Sequence, residues 1–512
     1  MRKFLLLVFI AASLVTGAQS VGIGTNTPNG TSILDVNATN KGMLMPRLTT
    51  QQRKNISNPA LGLLVFDTDK ATIMFYDGAA WKALSVSDEN KIDPVDRNAT
   101  DYKTYAAFGT RVSISGNYAI IGAPRYGPDP NSNYGAAYIF NKTTTGWKQQ
   151  ARLMAYDSAT NDYFGGSVAI SGDYAVVGAN NKIVEGLQSR GRAYVYRRNG
   201  SNWVLDTALT KRGGTSYEYF GWAVGISAFT TGGPSITIGI PYSDAGGADK
   251  GEAYCYKRTA NGWSYTQNII PQDLGASDNF GSTISMDSDY VAISAPSQDN
   301  ITYAYADAGA AYVYVFGGGV WNFQQKLSGY VARGQFGLAL SIFSNKLAVG
   351  APWATTYTNT SSSVYIYRRD GATWASIGSL FIYNFEIVPG ASQISSNSTT
   401  TNKSISIANL TFGMSLCLYG NNLLVGASGG LDYPNGGSSY YSDNPGSVYF
   451  YKNLNGDTYT RIQIIKSEYP SGADLFGQSV AMSNGNYIIS NAHAIINGMI
   501  YAGNVSFGYL SD

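Results

Sequence analysis

The sequence offers one histidine for acid–base or metal chemistry, His493. A Ser-His-Asp arrangement or a histidine-bound metal would have to use it, yet it follows a predicted strand at a position typical of a surface loop. A hydrolytic carboxylate pair is a second option, but no spacing among the 33 acidic residues singles out two of them. The residue types therefore favour binding over catalysis.

One loop places oxygen ligands at alternate positions. Asp129, Asn131 and Asn133 are a weak calcium candidate, since asparagine-rich turns also arise for conformational reasons. Calcium takes about six to eight oxygen ligands, and short turns such as Gly172-Asp173 carry too few. We therefore expect no cofactor.

Tyrosine marks another kind of loop. Residues 429–445 (GGLDYPNGGSSYYSDNP) form a glycine-rich insertion, and residues 383–409 form a second one. Tyrosine, serine, glycine and asparagine are typical of adaptable binding loops, because they combine rigid aromatic area with flexible hydrogen bonding. The sequence predicts ligand contacts at Tyr433, Tyr440, Tyr441 and Asp443. Alternatively, the three rings pack onto the protein and stabilise the insertion.

These loops belong to a repeated unit. In residues 163–180 (YFGGSVAISGDYAVVGAN), large Val168 and Ile170 alternate with small residues, a period of two that predicts a strand. Gly172-Asp173 then predicts a hairpin into a second strand. The opening phenylalanine recurs at intervals of 56, 56, 60, 56, 76 and 64 residues, as Phe108, Phe164, Phe220, Phe280, Phe336, Phe412 and Phe476.

Each unit continues with two more predicted strands. A third strand, such as GAAYIF at residues 135–140, leads through a tight turn to an aromatic residue that opens a polar fourth strand. This position is held by Trp147, Trp203, Trp263, Trp321, Trp374 and, in the sixth copy, Tyr459. Four antiparallel strands at this period predict an all-β, seven-bladed β-propeller with four-stranded blades.

The two faces of such a ring differ in their connections. One face carries the loops between the second and third strands of each blade, together with the connections from the fourth strand of one blade to the first strand of the next. We call this the loop face. The opposite side, the turn face, carries the hairpin turns, which are mostly short. Chain length varies mainly on the loop face, so we expect the ligand there, centred on blades five and six.

The repeats resemble the FG-GAP family, the unit of integrin α-chain propellers and of many exported bacterial proteins. Phe-Gly opens all seven copies, and Gly-Ala-Pro stands at residues 122–124 and 350–352, with relaxed versions elsewhere. The resemblance covers roughly residues 106–512 and implies a propeller. Integrin-type repeats often bind calcium between their first and second strands, and the short turns here depart from that pattern.

Residues 21–84 form a small β-rich module of their own. It resembles a leader module of secreted bacterial surface and tail-fibre-like proteins, through VGIGTNTP at 21–28, LDVNATNKGMLMPRLT at 34–49 and GLLVFDTD at 62–69. A module of this size has a thin core, so we expect self-association or docking to support it.

The remaining segments have simple roles. Residues 1–20 are predicted to be a signal peptide, with Arg2 and Lys3 before an apolar run too short to span a membrane. Residues 85–105 are a polar linker. Because the seventh copy supplies only three predicted strands, residues 91–97 are expected to add its outer strand and close the ring.

Composition narrows the class of partner. The chain has 512 residues, with 35 basic and 33 acidic side chains, and this near-neutral balance argues against nucleic acid or an anionic membrane. Cys255 and Cys417 lie in predicted strands three blades apart, so we expect free thiols.

Together these features predict an exported, non-enzymatic propeller that binds an extracellular protein or glycan at the cell surface. Two alternatives stay open: a polysaccharide-active hydrolase or lyase using loop-face carboxylates, and a structural part of a surface fibre. Close carboxylates in a deep pocket would favour the enzyme, and a tyrosine-lined surface would favour binding.

Overall fold

The chain divides into two compact units, Met1–Ser87 and Asp88–Asp512. The computed structural model describes residues 21–69, 72–78, 81–83, 90–92, 106–129, 131–354, 360–383, 410–429, 446–454, 456–467, 475–493 and 503–510. In these ranges the only α-helix is a single short turn, and no helix is long and apolar enough to cross a membrane.

The first unit combines short strands with that helix. Its elements are β1 (Val21–Ile23), β2 (Leu34–Val36), β3 (Arg47–Leu48), α1 (Thr50–Lys54), β4 (Leu64–Asp67), β5 (Thr72–Tyr76) and β6 (Trp81–Ala83). β1 pairs with β2 in parallel, and β3 to β6 form a four-stranded sheet in chain order. Thr49 caps α1 through a capping box with Gln52, which satisfies backbone groups that the short helix leaves open. A buried Arg53–Asp67 ion pair of 2.8 Å ties α1 to β4.

The first unit also exposes an unusual share of large apolar side chains. Ile33 is 84% exposed, Leu61 77% and Leu44 75%. Exposed apolar area of this kind is typical of a surface that another chain covers.

In the described residues, the second unit contains seven four-stranded antiparallel sheets, one for each Phe-Gly copy. Sheets one to three contain β8 (Val112–Ser115), β9 (Tyr118–Ala123), β10 (Ala136–Thr143) and β11 (Gly146–Leu153); β12 (Ser167–Ser171), β13 (Tyr174–Ala179), β14 (Arg192–Asn199) and β15 (Asn202–Leu209); and β16 (Ala223–Ser227), β17 (Ser235–Ile240), β18 (Glu252–Thr259) and β19 (Gly262–Ile269). The all-β expectation is confirmed.

The remaining sheets follow the same plan. Sheets four to six contain β20 (Ile284–Asp287), β21 (Tyr290–Ala295), β22 (Ala310–Gly317) and β23 (Val320–Ser328); β24 (Ala339–Phe343), β25 (Lys346–Ala351), β26 (Thr360–Asp370) and β27 (Thr373–Tyr383); and β28 (Leu410–Tyr419), β29 (Asn422–Gly429), β30 (Ser447–Asn453) and β31 (Tyr459–Lys466). Sheet seven contains β32 (Phe476–Ser483), β33 (Asn486–Asn491) and β34 (Asn504–Tyr509), with β7 (Asn90–Ile92) as its outer strand.

Apolar side chains pack between neighbouring sheets. Val168 and Ile170 of β12, for example, join a buried cluster with Ile120 of the preceding sheet and Trp203 of their own fourth strand. Each Phe of the Phe-Gly pairs is at most 3% exposed and sits in such a cluster. Burying a side chain of this size stabilises the fold by about 1.5–3 kcal/mol.

The first strands contact one another in a cycle, with β32 of sheet seven against β8 of sheet one. β7 pairs antiparallel with β34, with Lys91 opposite Ser506. The chain segment just before the first repeat therefore completes the sheet formed by the last one, at the N-terminal end of the expected 91–97 segment.

A central channel runs along the first strands, and one aliphatic residue from each strand divides it. Val112, Val168, Val224, Ile284, Leu340, Leu416 and Val480 line both an upper cavity of about 460 Å³ and a lower cavity of about 620 Å³. The upper cavity opens on the loop face, because it is lined by residues before the first strands and after the second strands.

Candidate functional site

In five of the seven repeats the residue before Phe-Gly adopts an unusual left-handed backbone conformation, and four of these five residues line the cavities at the mouth of the channel. Tyr163, Tyr219 and Asn279 have φ of 53°, 58° and 57°. The left-handed region costs a non-glycine residue on the order of 1 kcal/mol. The backbone N–H of Tyr219 donates to the carbonyl of Ser189 at 2.9 Å, and that of Tyr163 donates to Asn133 at 3.1 Å. The loops between second and third strands thus fix these residues.

The residue two positions after each of these phenylalanines also reaches the mouth. Trp222 and Gln478 occupy this position in repeats three and seven, and both line the upper cavity. Gln478 also lines a neighbouring side cavity of about 520 Å³, together with Tyr163 and Tyr219. The two cavities are therefore adjacent on the loop face, and together we call them the mouth site.

An aromatic triad forms one wall of the mouth site. The ring centroids of Tyr219 and Trp222 are 6.0 Å apart, those of Tyr219 and Tyr242 5.3 Å, and those of Trp222 and Tyr242 5.5 Å, all edge to face. Such pairs stabilise one another by about 0.5–1.5 kcal/mol each. Trp222 remains 40% exposed. The triad thus presents a rigid, accessible indole to the cavity.

Two arginines bring positive charge to the mouth site. Arg111 lines the upper cavity and Arg125 lines the side cavity. Arg111 donates to the carbonyl of Thr110 at 3.1 Å, and no ion-pair partner is found for either guanidinium among the described residues. Part of the Arg111 side chain is exposed to solvent. The protein atoms around its guanidinium desolvate the charge and lower its pKa from the ordinary value. Arginine nevertheless stays protonated at physiological pH.

One acceptor atom in the mouth site lacks a donor. The side-chain Oε1 of Gln478 is buried and has no hydrogen-bond partner in the part of the chain that the structure describes. A buried acceptor left without a donor costs about 1–3 kcal/mol. Gln478 is therefore positioned to accept a hydrogen bond from a ligand hydroxyl or amide.

Buried ion pairs hold the two residues that immediately precede Tyr163 and Tyr219 of the mouth site. The Nζ of Lys182 lies 2.8 Å from Oδ2 of Asp162, the residue before Tyr163. The Nζ of Lys211 lies 2.6 Å from Oε1 of Glu218, the residue before Tyr219, and 2.6 Å from Oε1 of Glu252. Lys182, in the second-to-third-strand loop of sheet two, thus holds the connection that leads from sheet one to sheet two. Lys211, in the connection that leads to sheet three, is held against Glu252 of sheet three. Each ion pair fixes the residue that precedes a tyrosine with positive φ.

A second aromatic patch lies farther out on the loop face. Tyr303 stacks on Tyr305 with centroids 5.9 Å apart and meets Tyr330 edge-on at 5.8 Å. These rings are 55%, 37% and 59% exposed, and neighbouring Ile301 is 90% exposed. The patch joins the second-to-third-strand loop of sheet four to the connection that leads to sheet five.

The residues singled out from sequence fall in different places. Tyr433, Tyr440, Tyr441 and Asp443 lie outside the described residues. Asp129 uses its carboxylate within its own turn, where it accepts from the Ser132 hydroxyl and, at 3.0 Å, from the backbone N–H of Asn131. Asn133 donates its amide to Asn161 at 2.8 Å. The described residues contain no group of three or more His, Cys, Asp or Glu that could hold a metal.

His493 and the cysteines have structural settings of different kinds. His493 is half-buried and lines the side cavity, so the single histidine belongs to the mouth site. Cys255 and Cys417 are free thiols, the first buried and the second partly buried. Burial raises the pKa of each thiol to about 12, which leaves both protonated at neutral pH.

Sequence reasoning missed the mouth site, although a signal for it exists. The Phe-Gly pairs repeat without change, whereas the residue before each phenylalanine varies in type; the seven are Ala107, Tyr163, Tyr219, Asn279, Gln335, Thr411 and Leu475. The residue type at this position therefore differs from repeat to repeat, and Ala107, Tyr163, Tyr219 and Asn279 line the mouth site, whereas Thr411 and Leu475 are buried.

Two family models match parts of the chain. A family described as FG-GAP repeat matches residues 88–140, 147–196 and 263–314. A family described as phage tail like trimerisation region matches residues 22–96. No curated protein matches the sequence.

Two solved structures are similar at low identity. Sqt1 of Saccharomyces cerevisiae is 10% identical with a TM-score of 0.41, over 83% of this chain and 100% of that one. Sqt1 of Chaetomium thermophilum is 13% identical with a TM-score of 0.40, over 76% and 82%. The family matches confirm both resemblances noted in the sequence: three stretches of the chain match the FG-GAP repeat, residues 22–96 match a phage-tail-like trimerisation region, and the antiparallel sheets are consistent with a β-propeller.

Proposed function

We propose that this chain is an exported, non-enzymatic, seven-bladed β-propeller that binds an extracellular protein or glycan at the cell surface through its loop face. The observation that carries the proposal is the mouth site, a concave surface with an exposed indole, a rigid aromatic wall and two arginines. Tryptophan, tyrosine and arginine are the residue types that dominate binding energy at recognition surfaces.

The seven sheets support the blade count. Their first strands contact one another in a cycle and line one channel, and the eighth four-stranded sheet belongs to the first unit. β7 pairs with β34, so sheet seven has the same four strands as the others. A closed ring leaves each sheet with only a short outer edge.

Self-association through residues 21–84 fits this function. The family match there names a trimerisation region, and Ile33, Leu44 and Leu61 expose apolar area that a partner copy would cover. Three linked propellers would raise the apparent affinity for a repetitive surface well above that of one site. The first unit thus supplies multivalency, and the second supplies recognition.

A binding screen with variants tests the proposal. The labelled full chain is applied to an array of cell-surface glycans and to immobilised extracellular matrix proteins. We expect binding that Trp222→Ala lowers at least about tenfold, as befits a central aromatic contact. The matched control is Phe229→Ala, since Phe229 is 69% exposed in the hairpin turn between β16 and β17, on the turn face. If Phe229→Ala abolishes binding and Trp222→Ala does not, the binding site lies on the turn face and the proposal is wrong.

A further inference from the structure

The ligand class follows from the charge and hydrogen-bonding groups of the mouth site. We infer that the mouth site binds an acidic saccharide, with a sugar ring on the Trp222 wall and a sugar carboxylate at Arg111 or Arg125. This inference rests on the proposed function and names the ligand of the same site.

The positive charge of the site is not used by the fold. Two other arginines of the loop face are held in ion pairs, Arg190 with Glu185 and Arg192 with Asp157, the latter at 2.7 Å. Arg111 and Arg125 have no such partner among the described residues, and no Asp or Glu is among the described residues that line the two cavities. The guanidinium group offers a planar fork of donors that matches a carboxylate.

The wall of the site suits a sugar ring. A pyranose presents C–H groups on one face and hydroxyls around its edge, so it needs an aromatic surface with polar groups beside it. The exposed Trp222 ring supplies the surface, and its orientation is fixed by Tyr219 and Tyr242. The unpartnered Oε1 of Gln478 supplies an acceptor for a sugar hydroxyl.

The site is built before the ligand arrives. Glu218, the residue before Tyr219, has its carboxylate 2.6 Å from the buried ammonium of Lys211. The backbone N–H of Tyr219 donates a hydrogen bond to the carbonyl of Ser189. The positive φ of Tyr219 is therefore maintained by contacts that do not involve a ligand. Preorganisation of this kind lowers the entropic cost of binding.

Paired ligands give the direct test. A panel of uronic-acid and sialic-acid oligosaccharides is titrated calorimetrically into the full chain, each beside a counterpart whose carboxylate has been reduced to the alcohol. We expect at least one acid to bind about 10- to 100-fold more tightly than its reduced form, the range for losing one charge-assisted hydrogen bond. We also expect that preference to weaken with added salt.

Variants assign the effect to the arginines. Arg111→Gln or Arg125→Gln should remove the preference for the acid, while Arg111→Lys or Arg125→Lys should keep part of it. Arg197→Gln is the control, because Arg197 is exposed near the turn face. Melting temperatures of all variants show whether a loss reflects unfolding.

The possible results separate this inference from the proposed function. Equal binding of an acid and its reduced form, with loss in Trp222→Ala, overturns the acidic ligand and leaves the glycan-binding propeller. Binding of an extracellular protein with no saccharide bound also overturns the inference alone. Absence of any Trp222-dependent binding in either screen overturns both.

Discussion

The backbone N–H of Val112 donates a 3.1 Å hydrogen bond to the Oγ of Ser479, across 367 residues of sequence. Gly116 makes the same kind of bond to Ser483 at 3.0 Å. Within the ring, Ile170 donates to Ser113 at 3.2 Å in the same way, so sheet seven meets sheet one as sheet one meets sheet two. Small serines in the first strands are thus the points at which neighbouring sheets are joined.

Ser479→Ala is expected to destabilise the second unit by about 1–3 kcal/mol, because a buried N–H loses its acceptor. Chemical unfolding of the full chain measures this, with Ser201→Ala as the control at an exposed hairpin turn. Equal unfolding midpoints for the two variants would mean that the closing bond adds nothing to stability.

The outer strand of sheet seven, β7, should contribute more to the stability of the second unit than its length of three residues suggests. Replacing Asn90, Lys91 and Ile92 with prolines removes backbone donors and should free the edge of β34. We expect a clear fall in melting temperature and a greater tendency to aggregate. The matched control places three prolines at residues 98–100, outside β7. If both triple variants melt alike, β7 does not stabilise the ring.

Lys211 should be far more important than a surface lysine. Its ammonium lies between the buried carboxylates of Glu218 and Glu252, which Lys211→Met would leave uncompensated. Breaking a buried ion pair in this way costs about 3–5 kcal/mol. The double variant Lys211→Met/Glu218→Gln should recover part of that loss, and exposed Lys148→Met should change little. Unfolding in urea provides the values, and a harmless Lys211→Met would disprove the assignment.

The two thiols predict that the stability of the folded chain decreases at alkaline pH. A free thiol in an unfolded chain has a pKa of about 8.5, whereas burial raises the pKa of Cys255 and Cys417 to about 12. The resulting stability is fully present below about pH 8.5 and is lost as the pH rises toward 12. At pH 8.5 we expect both thiols to resist a disulfide reagent in the native chain and to react rapidly after unfolding. Rapid native reaction of Cys255 would show that it is accessible.

The strands of the repeats were predictable from sequence because they carry a local signal. Val168 and Ile170 alternate with small residues, and the Gly-Asp turn that follows them fixes the hairpin register. The outer strand of sheet seven was expected at residues 91–97, because the seventh copy has only three predicted strands of its own and a closed ring needs the fourth. β1 was not foreseen, because a strand of three exposed residues has no alternation to detect.

The mouth site was not predictable in the same way. Arg111, Trp222 and Gln478 belong to repeats one, three and seven, and only closure of the ring brings them together. Tyr219 and Tyr163 also depend on a backbone conformation that tyrosine rarely adopts, so local propensity gives no hint of it. The sequence analysis expected a binding surface built from aromatic residues in loops, but it located that surface by loop length alone, on blades five and six.

The insertion at residues 429–445 provides the last prediction. Tyr433, Tyr440 and Tyr441 are apolar rings in a glycine-rich loop, and rings covered by a ligand contribute about 1–3 kcal/mol each. Replacing all three with serine should weaken ligand binding and leave the melting temperature unchanged, if they contact the ligand rather than the protein. The comparison variant carries serine at Tyr303, Tyr305 and Tyr330, which form an exposed patch on the loop face. Unchanged affinity in the first variant, or a lower melting temperature without loss of affinity, would show that the three tyrosines stabilise the insertion instead.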